Sequence, residues 1–156
     1  MLMNQWLARW FKHIPESLIL VIGRFSISAV FWLSGQTKVS GLSIDIISGT
    51  FQLGWPHITP QTIFLFQHEY ALPLLPPFLA AVLAVIAEHV CAILLLIGWQ
   101  TRLAAFILAG MTLVIEIFVY PLAYPTHGVW LTVLLLLMVK GGGYLSVDER
   151  LKRSTV

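Results

Sequence analysis

Arg24 lies inside the apolar run LILVIGRFSISAVFWLSGQTKV, residues 18–39, and Lys38 near its far end; Glu88, His89, Glu116 and His127 interrupt the apolar stretches that follow. A cation near the centre of a bilayer costs at least ~2.5 kcal/mol, so such groups should turn toward protein and meet acids there. Counting about 1.5 Å per residue from the end expected inside the cell puts Arg24 at a depth of roughly 10 Å, Glu88 at roughly 16 Å and Glu116 at roughly 21 Å. Arg24 is long enough to reach Glu88. The expectation is a buried Arg24–Glu88 pair, with His89 or Ser28 as a further partner, because a lone carboxylate at that depth would take up a proton. On the plainer reading, the pair fixes how two spans dock and does no chemistry.

A second group is expected in the outer half: Gln36, Lys38, Glu116, Tyr120, His127 and Trp130, with His68 and Glu69 reaching down from a loop. Acid, imidazole and phenol at one level, lined by aromatics, suit a headgroup with two carbonyls or hydroxyls, such as a quinone. Glu116 and His127 would then handle protons, with pKa values brought toward ambient pH by burial. The plainer reading is a network tying the loop to the bundle.

Other chemistries are weaker. Glu88 with His89, or a histidine and a glutamate of the outer group, are weak metal candidates; Glu88, His89 and Cys91 cannot all converge from one helix and His127 lies too far outward to join them, so a metal is not expected. A bis-imidazole haem needs two histidines at one depth, which His89 and His127 do not provide. No flavin site is evident, and the run Gly141 to Gly143 is not followed by the Lys-Ser or Lys-Thr of a nucleotide loop. Cys91 is the single cysteine, which excludes an intramolecular disulfide or a dithiol redox pair. A formal net charge of +2 is too small to argue for nucleic acid.

The elements that must hold these groups are membrane spans. The chain has 156 residues, 58% of them hydrophobic and 10% charged, far from the roughly 25% charged content of a soluble domain. That length allows one all-α membrane domain over 1–156, a four-helix bundle with spans at about 18–39, 78–99, 103–120 and 126–142. Arg24, Ser28, Phe31, Gly35 and Lys38 share one stripe of the first span. Pro77, Ala81, Ala84, Glu88 and Cys91 share one of the second, Ala105, Ala109, Thr112, Glu116 and Tyr120 one of the third, and His127, Trp130, Leu134, Leu137 and Gly141 one of the fourth. Small residues on these stripes let helices approach closely.

Residues 1–16 put Trp6, Leu7, Trp10, Phe11 and Ile14 on one face and Asn4, Arg9 and Lys12 off it, as in a helix lying in the headgroup layer or an aromatic and basic flank of the first span. No cleaved signal peptide is read there. About thirty residues follow Lys38, long enough to be a structured loop. Ile44 to Leu53 and the stretch TIFLFQHEY, capped by Thr59-Pro60, look ordered, the latter as a short amphipathic helix. In the tail, 144–156, Ser146 and Glu149 form a capping box ahead of a brief helix over 147–153. Arg9, Lys12, Arg102, Lys140, Arg150, Lys152 and Arg153 cluster at one end, so both termini are expected in the cytoplasm and the long loop outside it.

These features resemble the DoxX family of small four-span bacterial membrane proteins. The residues that carry the resemblance are RFSISAVFWLSGQTKVSG, LAVIAEHVCAILLLIGWQTRLAA, THGVW and GGGYLSVD, across about 18 to 150, with Arg24, Lys38, Glu88 and Arg102 as motif positions. The resemblance implies a bacterial inner-membrane protein, in some members a subunit of a terminal oxidase or thiosulfate:quinone oxidoreductase, in distant relatives a chaperone-like partner. Fold transfers better than activity in so varied a family. The leading expectation is a quinone-interacting subunit of a membrane redox complex whose electrons come from a protein partner. The alternatives are a non-enzymatic membrane assembly protein whose outer loop docks a client, and a metal- or proton-handling carrier.

Overall fold

The computed structural model describes residues 2–46 and 48–154; Met1, Ile47, Thr155 and Val156, and the side chains of residues 2–5 and 8, lie outside it, and with them the expected placement of Asn4. In chain order the elements are α1 (Leu2–Phe11), α2 (Glu16–Gln36), β1 (Val39–Asp45), β2 (Thr50–Ile58), α3 (Pro60–Leu65), a π turn over Phe66–Tyr70, α4 (Pro77–Ile97), α5 (Thr101–Phe118), a 3-10 turn at Pro121–Ala123, α6 (Tyr124–Lys140) and α7 (Val147–Ser154).

Four helical stretches are long and apolar enough to cross a membrane: Glu16–Gln36, Pro77–Ile97, Thr101–Phe118 and Pro121–Lys140. Their ends follow local chemistry. Pro77 opens α4, where its missing N–H is no loss, and Gly98, at φ +73°, ends it in the left-handed conformation that a side chain would strain. α2 stops at Gln36, short of the expected 39, because the chain leaves for a strand at Val39. The fourth span begins at Pro121 rather than near 126, since the 3-10 turn leads straight into α6.

The bundle packs on a core of Leu20, Ile27, Phe31, Leu95, Leu108 and Leu134, all no more than 3% exposed, with Ala92, Ala104, Ala105 and Ala109 where helices come closest. The opposite faces of the same helices are apolar and open: Phe25, Ile86, Phe106, Ile117 and Val139 are all more than half exposed. That is the pattern of a multi-pass membrane protein, whose outer surface contacts lipid tails.

The expected all-α architecture needs one correction. Residues 39–58 form an antiparallel hairpin in which Leu42 pairs with Leu53, Ile44 with Phe51, Ser43 with Gln52 and Asp45 with Thr50. The reason is period-2 alternation with β-branched and aromatic residues around a Ser48-Gly49 turn. Gly41, at φ +88°, sits at the irregularity between Ser40 and Leu42 and faces the Trp55 carbonyl, where a Cβ would clash. Beyond the hairpin, Thr59 Oγ1 accepts from the Thr62 N–H at 3.2 Å and caps α3, but the expected single helix through Tyr70 changes to a π turn at Phe66.

The tail is tied to the bundle. Ser146 Oγ accepts from the Glu149 N–H at the start of α7, while the Glu149 carboxylate turns to Arg153 rather than back to Ser146, so half of the capping box forms. Both Asp148 oxygens receive the backbone N–H groups of Gln100 and Thr101, at 2.8 and 2.9 Å, and cap the start of α5.

Candidate functional site

Arg24 does not meet Glu88. Its Nη1 donates to the carbonyls of Leu95 and Leu96 at 3.3 and 3.2 Å, and its Nη2 to that of Leu145 at 2.8 Å. The last carbonyls of α4 lack their regular i+4 partners, Leu95 O accepting only from the Gly98 N–H at 3.1 Å, and carry the negative end of the helix dipole, so a guanidinium is a good match for them. Glu88 lies seven residues before Leu95 on α4, about 10 Å up the helix, beyond the reach of the same side chain. Ser28, expected as a further partner, is buried, and its Oγ finds no partner among the described residues.

Glu88 pairs instead with Lys38. The lysine follows the end of α2, and its side chain folds back so that Nζ sits 2.9 Å from Glu88 Oε1, 2.9 Å from Ser34 Oγ and 3.1 Å from the Ser34 carbonyl. Ser34 Oγ also donates to Glu88 Oε1, at 2.9 Å. Lys38 is 5% exposed and Glu88 3%, so the pair is held well out of solvent; Glu88 Oε2 has no partner among the described residues. The Lys38 carbonyl accepts from Thr62 Oγ1 and the Thr59 N–H, which anchors the base of the hairpin at the same point. Ser34, four residues before Lys38, was missed in the sequence although that spacing puts it on the lysine's face.

Gln36 joins His89 rather than the outer group. His89 Nδ1–H donates to the Val85 carbonyl at 2.8 Å, its Nε2 accepts from Gln36 Nε2 at 2.9 Å, and Trp32 packs edge-on against the ring. Both ring nitrogens of His89 are thus engaged within the protein, and Glu88 Oε1 is paired with Lys38. Among the described residues no three His, Cys, Asp or Glu side chains come together as a metal site.

Farther along the bundle the remaining residues fall into two clusters. His127 Nδ1 lies 2.6 Å from Glu116 Oε2, with the imidazole 7% exposed and packed against Trp130, which in turn meets Phe31. Tyr120, four residues past Glu116, donates to Glu69 Oε1 and stacks edge-on with Tyr70 at 5.8 Å. Burial raises the Tyr120 phenol well above its ordinary pKa, and the bond to Glu69 adds to this; the Tyr70 phenol is raised by burial and then by the charges of Glu88 and Glu69. His68 stays exposed, stacked on Phe64. Tyr70 belongs to this cluster and was missed, because no spacing rule aims a residue in a π turn.

An apolar groove of about 460 Å³ runs between α4 and α5 and ends at this cluster. Tyr70 and Leu72 stand at one end and Leu94 and Leu103 at the other, with Ala84 and Ala87 between them. From Ala84 to Leu94 it follows α4 for about 15 Å.

No curated protein and no solved structure matches the chain. The DoxX family model matches residues 19–121, a stretch that takes in Arg24, Lys38, Glu88, the hairpin and Tyr120 and leaves out His127 and Trp130. That match spans well over half of the chain, and the protein belongs to the DoxX family.

Proposed function

We propose that this DoxX protein is a quinone-interacting subunit of a redox complex in the bacterial inner membrane. The observation that carries the reading is the α4/α5 groove: a long apolar trough open to lipid, closed at one end by a phenol beside a second phenol and a carboxylate. An isoprenoid tail needs the first and a quinone head the second. A bound quinone would supply two-electron, two-proton chemistry. The electrons would come from a protein partner, since Cys91 is the only thiol of the chain and the sequence carries no evident redox centre.

The chain's own residues would hold the head and move protons. Tyr70 would donate its hydroxyl proton to a carbonyl oxygen of the head, whereas the Tyr120 proton is held by Glu69 and would reach the head only when that bond opens. Glu69 is exposed and exchanges protons with water, while the Glu116–His127 pair stores one farther in. In this reading both termini are cytoplasmic, as the cluster of Arg102, Lys140, Lys152 and Arg153 favours, and α1, with Trp6, Trp10 and Phe11 exposed, lies in the headgroup layer.

The test is native mass spectrometry of the protein purified with its lipids, alongside turnover of the native complex. A retained quinone is expected, with Glu116→Gln plus His127→Ala lowering quinone-linked turnover by at least about 10-fold. No retained quinone and unchanged turnover in that variant would end this reading.

A further inference from the structure

We infer that the β1–β2 hairpin is a second membrane contact, seated with one apolar face on the outer headgroup layer beside the bundle. Cross-strand pairing places Leu42, Ile44, Phe51 and Leu53 on one face, and Trp55 follows on the same strand at the irregularity opposite Gly41. The other face carries Ser43, Asp45, Thr50 and Gln52. On the outer strand Phe51 is 65% exposed, Leu53 81% and Trp55 80%, an apolar row that nothing in the chain covers among the described residues.

Two observations choose lipid as the occupant. First, the hairpin is continuous with the lipid-facing wall. Ile44 is fastened by both backbone groups to α2, its N–H donating to Gln36 Oε1 at 2.8 Å and its carbonyl accepting from Trp32 Nε1 at 2.9 Å. Ile44 and Ile46 then close one end of an apolar trough whose other walls include Phe25, Leu33, Ile93 and Leu96, side chains that face the bilayer. Second, residues 39–58 contain no Lys, Arg or Glu, and only Asp45 and His57 can ionise. Such a surface has little to steer a charged partner, and a tryptophan on an apolar row is at home at the membrane interface. Among the described residues no strand lies beside the far edge of β2, and the unpaired N–H and C=O groups of that edge hold the hairpin at the hydrated headgroup level rather than in the acyl core.

The test is spin labelling of the full chain in liposomes, in a Cys91→Ala background, with single cysteines at positions 50, 51, 52, 53 and 55, leaving out Gly54, where a Cβ would meet the Gly41 carbonyl. Labels at 51, 53 and 55 should show a ratio of oxygen to nickel-chelate collisions several-fold above that at 50 and 52. As a check free of Cys91, Trp55→Phe should remove part of the tryptophan emission quenched by brominated lipids. Equal and free access of the nickel chelate at all positions would overturn the inference. So would labels immobilised at 51, 53 and 55 together with a stoichiometric co-purified protein, which would mean that a protein covers the row.

Discussion

Lys38 and Glu88 form a buried ion pair at 2.9 Å that joins the end of α2 to the middle of α4, with Ser34 bonded to both partners. Removing one member leaves the other either desolvated without a counter-charge or forced to change its protonation, and both are costly. Lys38→Met and Glu88→Gln are each expected to cost about 3–5 kcal/mol, and Lys38→Met with Glu88→Leu to recover most of the loss. Reversible unfolding in mixed micelles measures all three; single losses below about 1 kcal/mol would mean that the pair is solvated.

Arg24 pins the C-terminal end of α4 and the Leu145 loop through backbone carbonyls, and its planar fork is what spans three acceptors. Arg24→Lys is therefore expected to behave almost like Arg24→Ala, each losing about 2–3 kcal/mol. Gly98→Ala should be comparably harmful, because a methyl there would meet Arg24 Nη1 and Ser146 Cβ at a positive φ. Combined with Arg24→Ala, it should cost less than the sum, which the same unfolding measurement reports.

Gly35 makes room for the His89 ring. A Cβ at Gly35 would lie 2.6 Å from His89 Cε1 and 2.8 Å from Nδ1, so Gly35→Ala should push the imidazole off Val85 and Gln36 and cost about 1–3 kcal/mol. In a background of His89→Ala the same substitution should be nearly silent. A double-mutant cycle with no coupling would show that the helices separate instead.

The tyrosine cluster predicts an alkaline limit. Both phenols are raised, Tyr120 by burial and by its bond to Glu69, Tyr70 by burial and the nearby carboxylates, so the folded protein holds protons that the unfolded chain has released. Stability from this source is intact below the ordinary tyrosine pKa of about 10 and falls as pH rises above it. Tyr120→Phe should flatten that fall and remove the late part of the tyrosinate absorbance titration. An unchanged titration would mean that Tyr120 ionises as in water.

Four spans and several of their ends were legible in the sequence, because they depend on neighbours along the chain. Hydropathy over about 20 residues marks a span, Pro77 and Gly98 punctuate α4, Thr59 caps α3 and Ser146 caps α7. The hairpin was partly legible: Ile44 to Leu53 stood out as ordered, but with three glycines and a proline among the hairpin's residues the alternation did not declare itself a strand.

The partners were not legible, and the failure has a physical cause. Depth along a helix, counted by residue, cannot tell Lys38 from Arg24 as the cation for Glu88 when a few ångströms decide. Backbone carbonyls offer the same acceptor in every sequence, so the three that hold Arg24 leave no trace in the residue types around them. The sequence by itself determined that charges sit within apolar helices and must turn inward, since lipid gives them no other stable place. Only the tertiary structure decided which groups meet, because that depends on how each helix is rotated, where it ends, and which acceptor lies within a side chain's reach.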